Sequence, residues 1–257
     1  MISTQPRTKG SPIRRLRALG QAEWLQFTRN RLLVVMALLF PVLLPVVMWM
    51  AGDRSVSSIA IASDIFVLFA LGFGVFYPAL SMAVTRRDEG VLKRLRTGEA
   101  RDWEVLSAIL LPLAVAMLLL TVAIVVGLSA GSNTWPVNPV LMLAAVLLGI
   151  ATSHGFALLT SQFTPNAENA QITSMPVLML LIFSQAGLRD IMPDRVAQVF
   201  DRNPFALTID LFRTGWIDEG TFGSTFTDSW PSLLTLTAWA VALVWGGYQY
   251  MRWDTHR

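Results

Sequence analysis

Long stretches of the chain carry no charged residue, among them Leu32–Met50, Ile65–Thr85, Val105–Pro139 and Val140–Asn166. A helix of about twenty apolar residues crosses a bilayer. The third stretch holds more than one crossing needs. "SAGSNTWPVNP" (Ser129–Pro139) bounds it, because Gly, Asn and two Pro favour a turn and Trp135 suits a membrane interface. The pattern predicts an all-α membrane protein of one domain, 1–257, with six transmembrane helices at about 32–50, 60–84, 105–128, 139–162, 170–187 and 230–251.

Ahead of the first span, Ile13, Leu16, Gly20, Trp24 and Phe27 recur at spacings of three and four, while Arg14, Arg15, Gln21 and Arg29 fall elsewhere. Ser11-Pro12 makes a helix start, with Pro in the first turn. Residues 11–31 thus predict an interfacial helix lying on the membrane, its basic residues toward anionic headgroups. An ordinary basic tail is the other reading. No short apolar region followed by a small-residue cleavage site is present, so no removable signal peptide is expected.

Charge sets the expected orientation. Of the 20 basic residues, seven lie in 1–31, six in 84–104, and Arg252 and Arg257 in the tail. Basic residues mark the cytoplasmic side, which places both termini inside. Arg54, Arg189, Arg195, Arg202 and Arg213 fall on the other side. The chain is 54% hydrophobic and only 14% charged, against roughly 25% charged in soluble domains. The excess of Arg over Lys points toward a bacterial source, hence a bacterial cytoplasmic (inner) membrane.

The charges concentrate in one island, residues 85–104. In "RRDEGVLKRLRTG" (Arg86–Gly98), Val91, Leu92 and Leu95 share one side of a short helix, with Lys93, Arg94 and Arg96 elsewhere and Gly98 placed to end it. The residues alone leave two readings: a docking knob, or a basic loop that fixes topology.

This segment resembles the corresponding loop of type-2 ABC exporter permeases of the drug-resistance and polyketide-export kind, which reads roughly R-E-R-E-x-G-T-L-E-R-L-R-x-T-P. Glu89, Gly90, Leu92, Arg94, Leu95 and Arg96 match in place, whereas Val91 and Lys93 replace the usual Thr and Glu. A second block, Thr164–Arg213, is similar to the family's fifth-helix region. Asn166, Ala167, Glu168, Ala170 and Gln171 match its start; Asn203, Pro204 and Arg213 match its end. The family's compact Ser-Gly bend is looser here, at Ser184–Gly187.

The resemblance implies that the island is a cytoplasmic coupling helix seated in a separate ATPase subunit. Arg87, Glu89, Gly90, Leu92 and Leu95 are the expected ATPase-coupling residues. It further implies two ATPase subunits, a second permease chain (the same or homologous), and short external re-entrant helices within 188–229. Gly187, Asn203 and Pro204 are candidates for an exit gate, a packed external cap being the other reading of that segment. The chain has no G-x-x-x-x-G-K-[ST] phosphate loop. ATP and Mg²⁺ are therefore expected on the partner, with no cofactor or metal on this chain and no nucleic-acid partner.

His154 lies within the fourth span, as a pathway residue or a packed one; Ser153 and Gly155 beside it favour packing. Asp64, near the start of the second span, is expected to cap it. Pro41, Pro45, Pro78, Pro112 and Pro176 are expected to kink or bound helices. The chain has no cysteine and only two histidines, so no enzyme site is expected. The leading expectation is the transmembrane subunit of an ATP-driven exporter of amphipathic or lipid-like molecules such as drugs or antibiotics. The alternatives are a lipid-linked glycan export permease or an ion-coupled secondary transporter.

Overall fold

The computed structural model describes residues 12–53, 55–96, 101–251 and 253. The expected helix start at Ser11, the stop at Gly98, and Arg54, Arg252 and Arg257 lie outside the described residues. So do the side chains of Lys93 and Arg96.

Every regular element among the described residues is helical. A first helix, α1 (Pro12–Arg29), leads to α2 (Arg31–Ala51), whose first turn is capped by Asn30 accepting from Leu33 N at 3.2 Å. After a tight turn comes α3 (Val56–Asp88), then the short α4 (Val91–Arg96). α5 (Asp102–Ser132) and α6 (Pro139–Ser161) follow as long apolar rods. The chain then breaks into α7 (Ala170–Ile182), α8 (Ala186–Arg189), α9 (Asp194–Asp201) and α10 (Pro204–Ile217), before the long α11 (Phe222–Tyr250).

Five of these helices, α2, α3, α5, α6 and α11, are long and apolar enough to cross a membrane. The expected span at 170–187 takes a different form. α7 has 13 residues, about 20 Å of helix, against a hydrocarbon core of about 30 Å. The helix stops at Ile182, and Gln185 turns to extended backbone (ψ 134°) before α8. α10 begins where α7 ends, with Ser184 Oγ donating to Asn203 Oδ1 at 3.0 Å. The last long helix also starts earlier than expected, at Phe222 rather than near 230, because the polar turn "FGSTFTDSW" is helical without being apolar.

Burial sorts the rods. α3 is the most enclosed, 72% of its apolar window buried, and α6 follows; α2, at 22%, leaves most of its face outward. α3 and α6 are thus the centre, and α2, α5 and α11 expose Leu39, Leu43, Leu119, Val122, Val241 and Trp245 where lipid belongs. Small residues let α6 sit close to two neighbours. A side-chain carbon on Gly155 would lie 2.6 Å from the Leu243 carbonyl carbon of α11, and one on Gly149 would lie 2.7 Å from Thr208 of α10.

Two helices are locally wound as π-helix, at Val35–Leu39 in α2 and Ala70–Phe76 in α3. Each lies just ahead of a proline, Pro41 or Pro78. A proline ring lacks the N–H that would bond four residues back and crowds that carbonyl, so the preceding turn widens. The two wide segments pack against each other: a carbon on Gly74 would come within 3.5 Å of the Ala37 carbonyl oxygen. Pro45, Pro112 and Pro176 sit inside helices that continue through them.

The turn joining α2 and α3 is polar. Hydrogen bonds from Ser55 and Ser58 hold the Asp53 carboxyl down to about 2. Ser55 caps α3, its Oγ accepting from Ser58 N at 3.5 Å. Asp64, expected as that cap, instead stands more than two turns inside the helix and reaches Arg213 of α10 at 3.3 Å.

The α6–α11 crossing gives a direct test. Gly155→Ala forces a methyl into the backbone of α11 and is expected to destabilise the protein by about 1–3 kcal/mol. Gly127→Ala, which meets open space, is expected to be neutral or mildly stabilising. Thermal unfolding of both variants in detergent checks the pair.

Candidate functional site

The island forms the end of α3, a tight turn and α4. Gly90 makes the turn with φ +68°, a conformation that costs glycine nothing. Its N–H donates to Arg87 O at 2.9 Å, and Glu89 N donates to Thr85 O at 3.0 Å, closing the end of α3. Arg94 then reaches back, Nη2 donating to Glu89 O at 2.9 Å. The side of α4 bearing Leu92 turns inward. Leu92 is 1% exposed among Phe27, Leu106 and Met251, and Leu95 packs at the edge of that cluster.

Arg87 is buried as well. Its Nη1 donates to Ser161 O at 2.7 Å, and its Nη2 donates to the carbonyls of Thr164 and Pro165. These carbonyls belong to the end of α6 and the loop after it. Next door, the Asp88 carboxylate accepts from Ala167 N at 3.1 Å. The two sequence blocks, Arg86–Gly98 and Thr164–Arg213, are therefore fastened to each other in space.

α1 completes the assembly. Glu23 pairs with Arg86 at 2.8 Å. Burial pushes the Glu23 carboxyl up; the attraction of Arg86 opposes this, and the net direction is up. Arg15 grips Glu104 through Nε and Nη2 at 3.1 and 2.9 Å, and Glu104 also accepts from Arg101 N at 2.9 Å. The ends of α3, α5 and α6, together with α1 and α4, thus form one interlocked face. Asp88, Glu89, Arg94 and residues 165–168 stand exposed on it.

Of the residues singled out in the sequence, Glu89 and Gly90 lie at the exposed turn, whereas Arg87, Leu92 and in part Leu95 face the chain's own interior. Helical spacing put Leu92 and Leu95 on one side without saying which body that side meets. The Arg87–loop bonds, the Glu23–Arg86 pair and the Arg15–Glu104 pair were missed. All join residues more than sixty positions apart, a separation that periodicity does not span.

Away from the island, Asn203 caps α10, its Oδ1 accepting from Phe205 N and Ala206 N at 2.9 and 3.1 Å, and Pro204 is the first helical residue. Gly187 lies in α8 with open space beside its Cα. Nearby, Arg189 bridges Asp201 at 2.5 Å and Asp210 at 2.6 Å, and Asp210 also meets Arg213 at 3.3 Å. Burial pushes the Arg189 guanidinium down, but Asp210 and Asp201 more than offset it and the net direction is up. His154 is buried, its ring edge-on to Tyr248 with centroids 6.4 Å apart, and neither ring nitrogen has a hydrogen-bond partner among the described residues.

An apolar cavity of about 600 Å³ lies between α2, α3 and α7. Met36 and Phe73 of the two π segments line it, with Tyr77, Gln171 and Ser174 as its polar members. His154 is not among its walls. No group of three or more His, Cys, Asp or Glu able to hold a metal ion occurs among the described residues.

The Arg87 anchor predicts a stability cost. Arg87→Ala leaves buried carbonyls without donors and is expected to cost about 3 kcal/mol. Arg87→Lys is expected to recover only part, since an ammonium does not reproduce the planar fork. Glu89→Gln, at an exposed position, is expected to fall within about 0.5 kcal/mol of the parent. Thermal unfolding, with limited proteolysis across residues 161–170, reads all three.

None of the curated proteins matches the chain. A family model described as ABC-2 family transporter protein matches residues 51–248, from the turn before α3 almost to the end of α11. That range takes in the membrane-length α3, α5 and α6 and the fastened loops between them. The chain therefore belongs to the ABC-2 family of transporter proteins, as a multi-pass, membrane-embedded subunit.

Proposed function

We propose that this chain is the permease subunit of an ATP-driven exporter, built as a single type-2 ABC transmembrane domain and powered by two separate ATPase subunits that dock on the face around α4. The observation that carries this reading is the fastening of the island: an exposed turn and short helix, rooted by Leu92 and by Arg87, joined to the ends of several long helices at once. A push on α4 then passes to α3 directly, to α6 and α7 through Arg87 and Asp88, and to α5 through α1. In this reading Glu89, Gly90 and Arg94 touch the ATPase. Arg87, Leu92 and Leu95 hold the coupling helix in the posture it needs.

The same reading gives six crossings. α7 and α10 together make the fifth, as two half-length helices meeting at Ser184 and Asn203, with α8 and α9 as the external re-entrant excursion. Asn203 and Pro204 stand at the break, where an exit gate belongs, and Gly187 gives it room. The basic end is cytoplasmic, both termini lie there, and the membrane is the bacterial cytoplasmic one. A second permease chain, the same or homologous, completes the transporter.

The cavity between α2, α3 and α7 supports an amphipathic or lipid-like cargo, a drug or antibiotic by chemistry, because its walls offer few polar groups and no charge. A hydrophilic ion pathway calls for paired charges inside the membrane. The burial of His154 against Tyr248, away from that cavity, favours a packing role for it.

Affinity purification of the tagged chain, expressed with its chromosomal neighbours, tests the assignment. An ATPase subunit is expected to co-purify and to be lost with Glu89→Lys plus Arg94→Glu, both at exposed positions, while the thermal stability of the permease is retained. Absence of any ATPase, or its full retention by the double variant, overturns the docking assignment.

A further inference from the structure

A second cleft, of about 470 Å³, opens on the outer surface where α1 lies against α5. From α1 it is lined by Arg17, Gln21, Trp24 and Leu25, and from α5 by Leu111 and Val115 among others. It is two-faced along its length. The apolar wall comes from Trp24, Leu25 and the α5 residues. The polar members are Arg17 and Gln21 of α1. Arg17 is exposed and makes no hydrogen bond or ion pair with any described residue.

The cleft is held open by its frame. Arg15 grips Glu104 in the first turn of α5, and α1 crosses so close that a carbon on Gly20 would lie 2.5 Å from Leu111 Cδ2. Trp24 and Leu25 remain 40% and 57% exposed along it. Pro112, also in the wall, has no N–H to donate. An apolar trough on a membrane-embedded chain, with a cation at its polar edge that no described residue pairs, has the charge and polarity order of a single phospholipid.

We infer that this cleft binds one anionic phospholipid, its acyl chain along Leu111, Val115, Trp24 and Leu25 and its phosphate and headgroup on Arg17 and Gln21. The site lies on α1, which also holds the island through Glu23 and Arg86. A lipid seated there braces α1 against α5. The inference rests on membrane embedding and is independent of the ATPase assignment.

Native mass spectrometry of the delipidated full chain, titrated with palmitoyl-oleoyl phosphatidylglycerol or with phosphatidylcholine of the same acyl chains, tests it. The parent is expected to bind one phosphatidylglycerol in preference to phosphatidylcholine. Arg17→Ala is expected to weaken phosphatidylglycerol binding about fivefold, the effect of one basic residue at an anionic surface, and to leave phosphatidylcholine unchanged. Arg29→Ala, exposed on α1 but outside the cleft, is expected to leave both unchanged. Val115→Trp, which fills the trough, is expected to weaken both lipids while unfolding at the parent temperature. Equal binding of the two lipids by the parent overturns the proposal. So does an equal loss in Arg17→Ala and Arg29→Ala, which marks diffuse charge, or undiminished binding by a folded Val115→Trp.

Discussion

A single buried guanidinium organises the basic end of this protein. Arg87 stands in the last turn of α3, and its Nη groups donate to the carbonyls of Ser161, Thr164 and Pro165. Those groups close α6 and open the way to α7. A helix leaves its last carbonyls without intrahelical donors. Here the tail of one helix receives them from the tail of another. The arrangement sets the height of α3 against α6, which sets where Asp88 meets Ala167 and where Gly90 turns the chain into α4. Leu92 then lands in the cluster that Phe27, Leu106 and Met251 complete. Without the fork, α4 keeps its apolar side but loses its address.

Away from the island, order rests on a different chemistry. Arg189, Asp201, Asp210, Arg213 and Asp64 form a chain of ion pairs from α8 through α9 and α10 to α3. α10 buries Phe205, Phe212 and Trp216 and is placed by packing, whereas α8 and α9 are one and two turns long and bury little. Charge pairing through the buried Arg189 ties α8 and α9 to α10. Asn203 adds a second function there, since one oxygen caps α10 and also accepts from Ser184 at the end of α7.

The rods were legible because lipid imposes a simple rule: an uncharged run of adequate length is a span. Leu32–Met50 and Val105–Pro139 declared themselves that way. The region after Pro165 was harder to read. Ile172–Ile182 is as oily as any span, and hydropathy does not register that Gln185 turns to extended backbone and ends the rod. The reverse error occurred at Phe222–Ser229, where polar residues extend a helix that hydropathy begins later. In the island, the shared side of Leu92 and Leu95 was written in the residues, but not that it meets the chain's own interior. Whether Arg87 faced a partner or the chain itself depended on a loop some seventy-five positions away, and no local pattern carries that information.

The π segment of α3 divides that helix into two nearly equal arms, Val56–Phe69 with 14 residues and Tyr77–Asp88 with 12. A wide turn bends more readily than a regular one, and this one lies beside the cavity and against its counterpart in α2. Asp64 sits on one arm and Arg87 at the tip of the other. The helix is therefore jointed rather than a single stiff rod: either arm can change its tilt while the other keeps its packing. A displacement at the Arg87 tip is then taken up at the wide turn, and the cavity wall there is the part whose shape changes most.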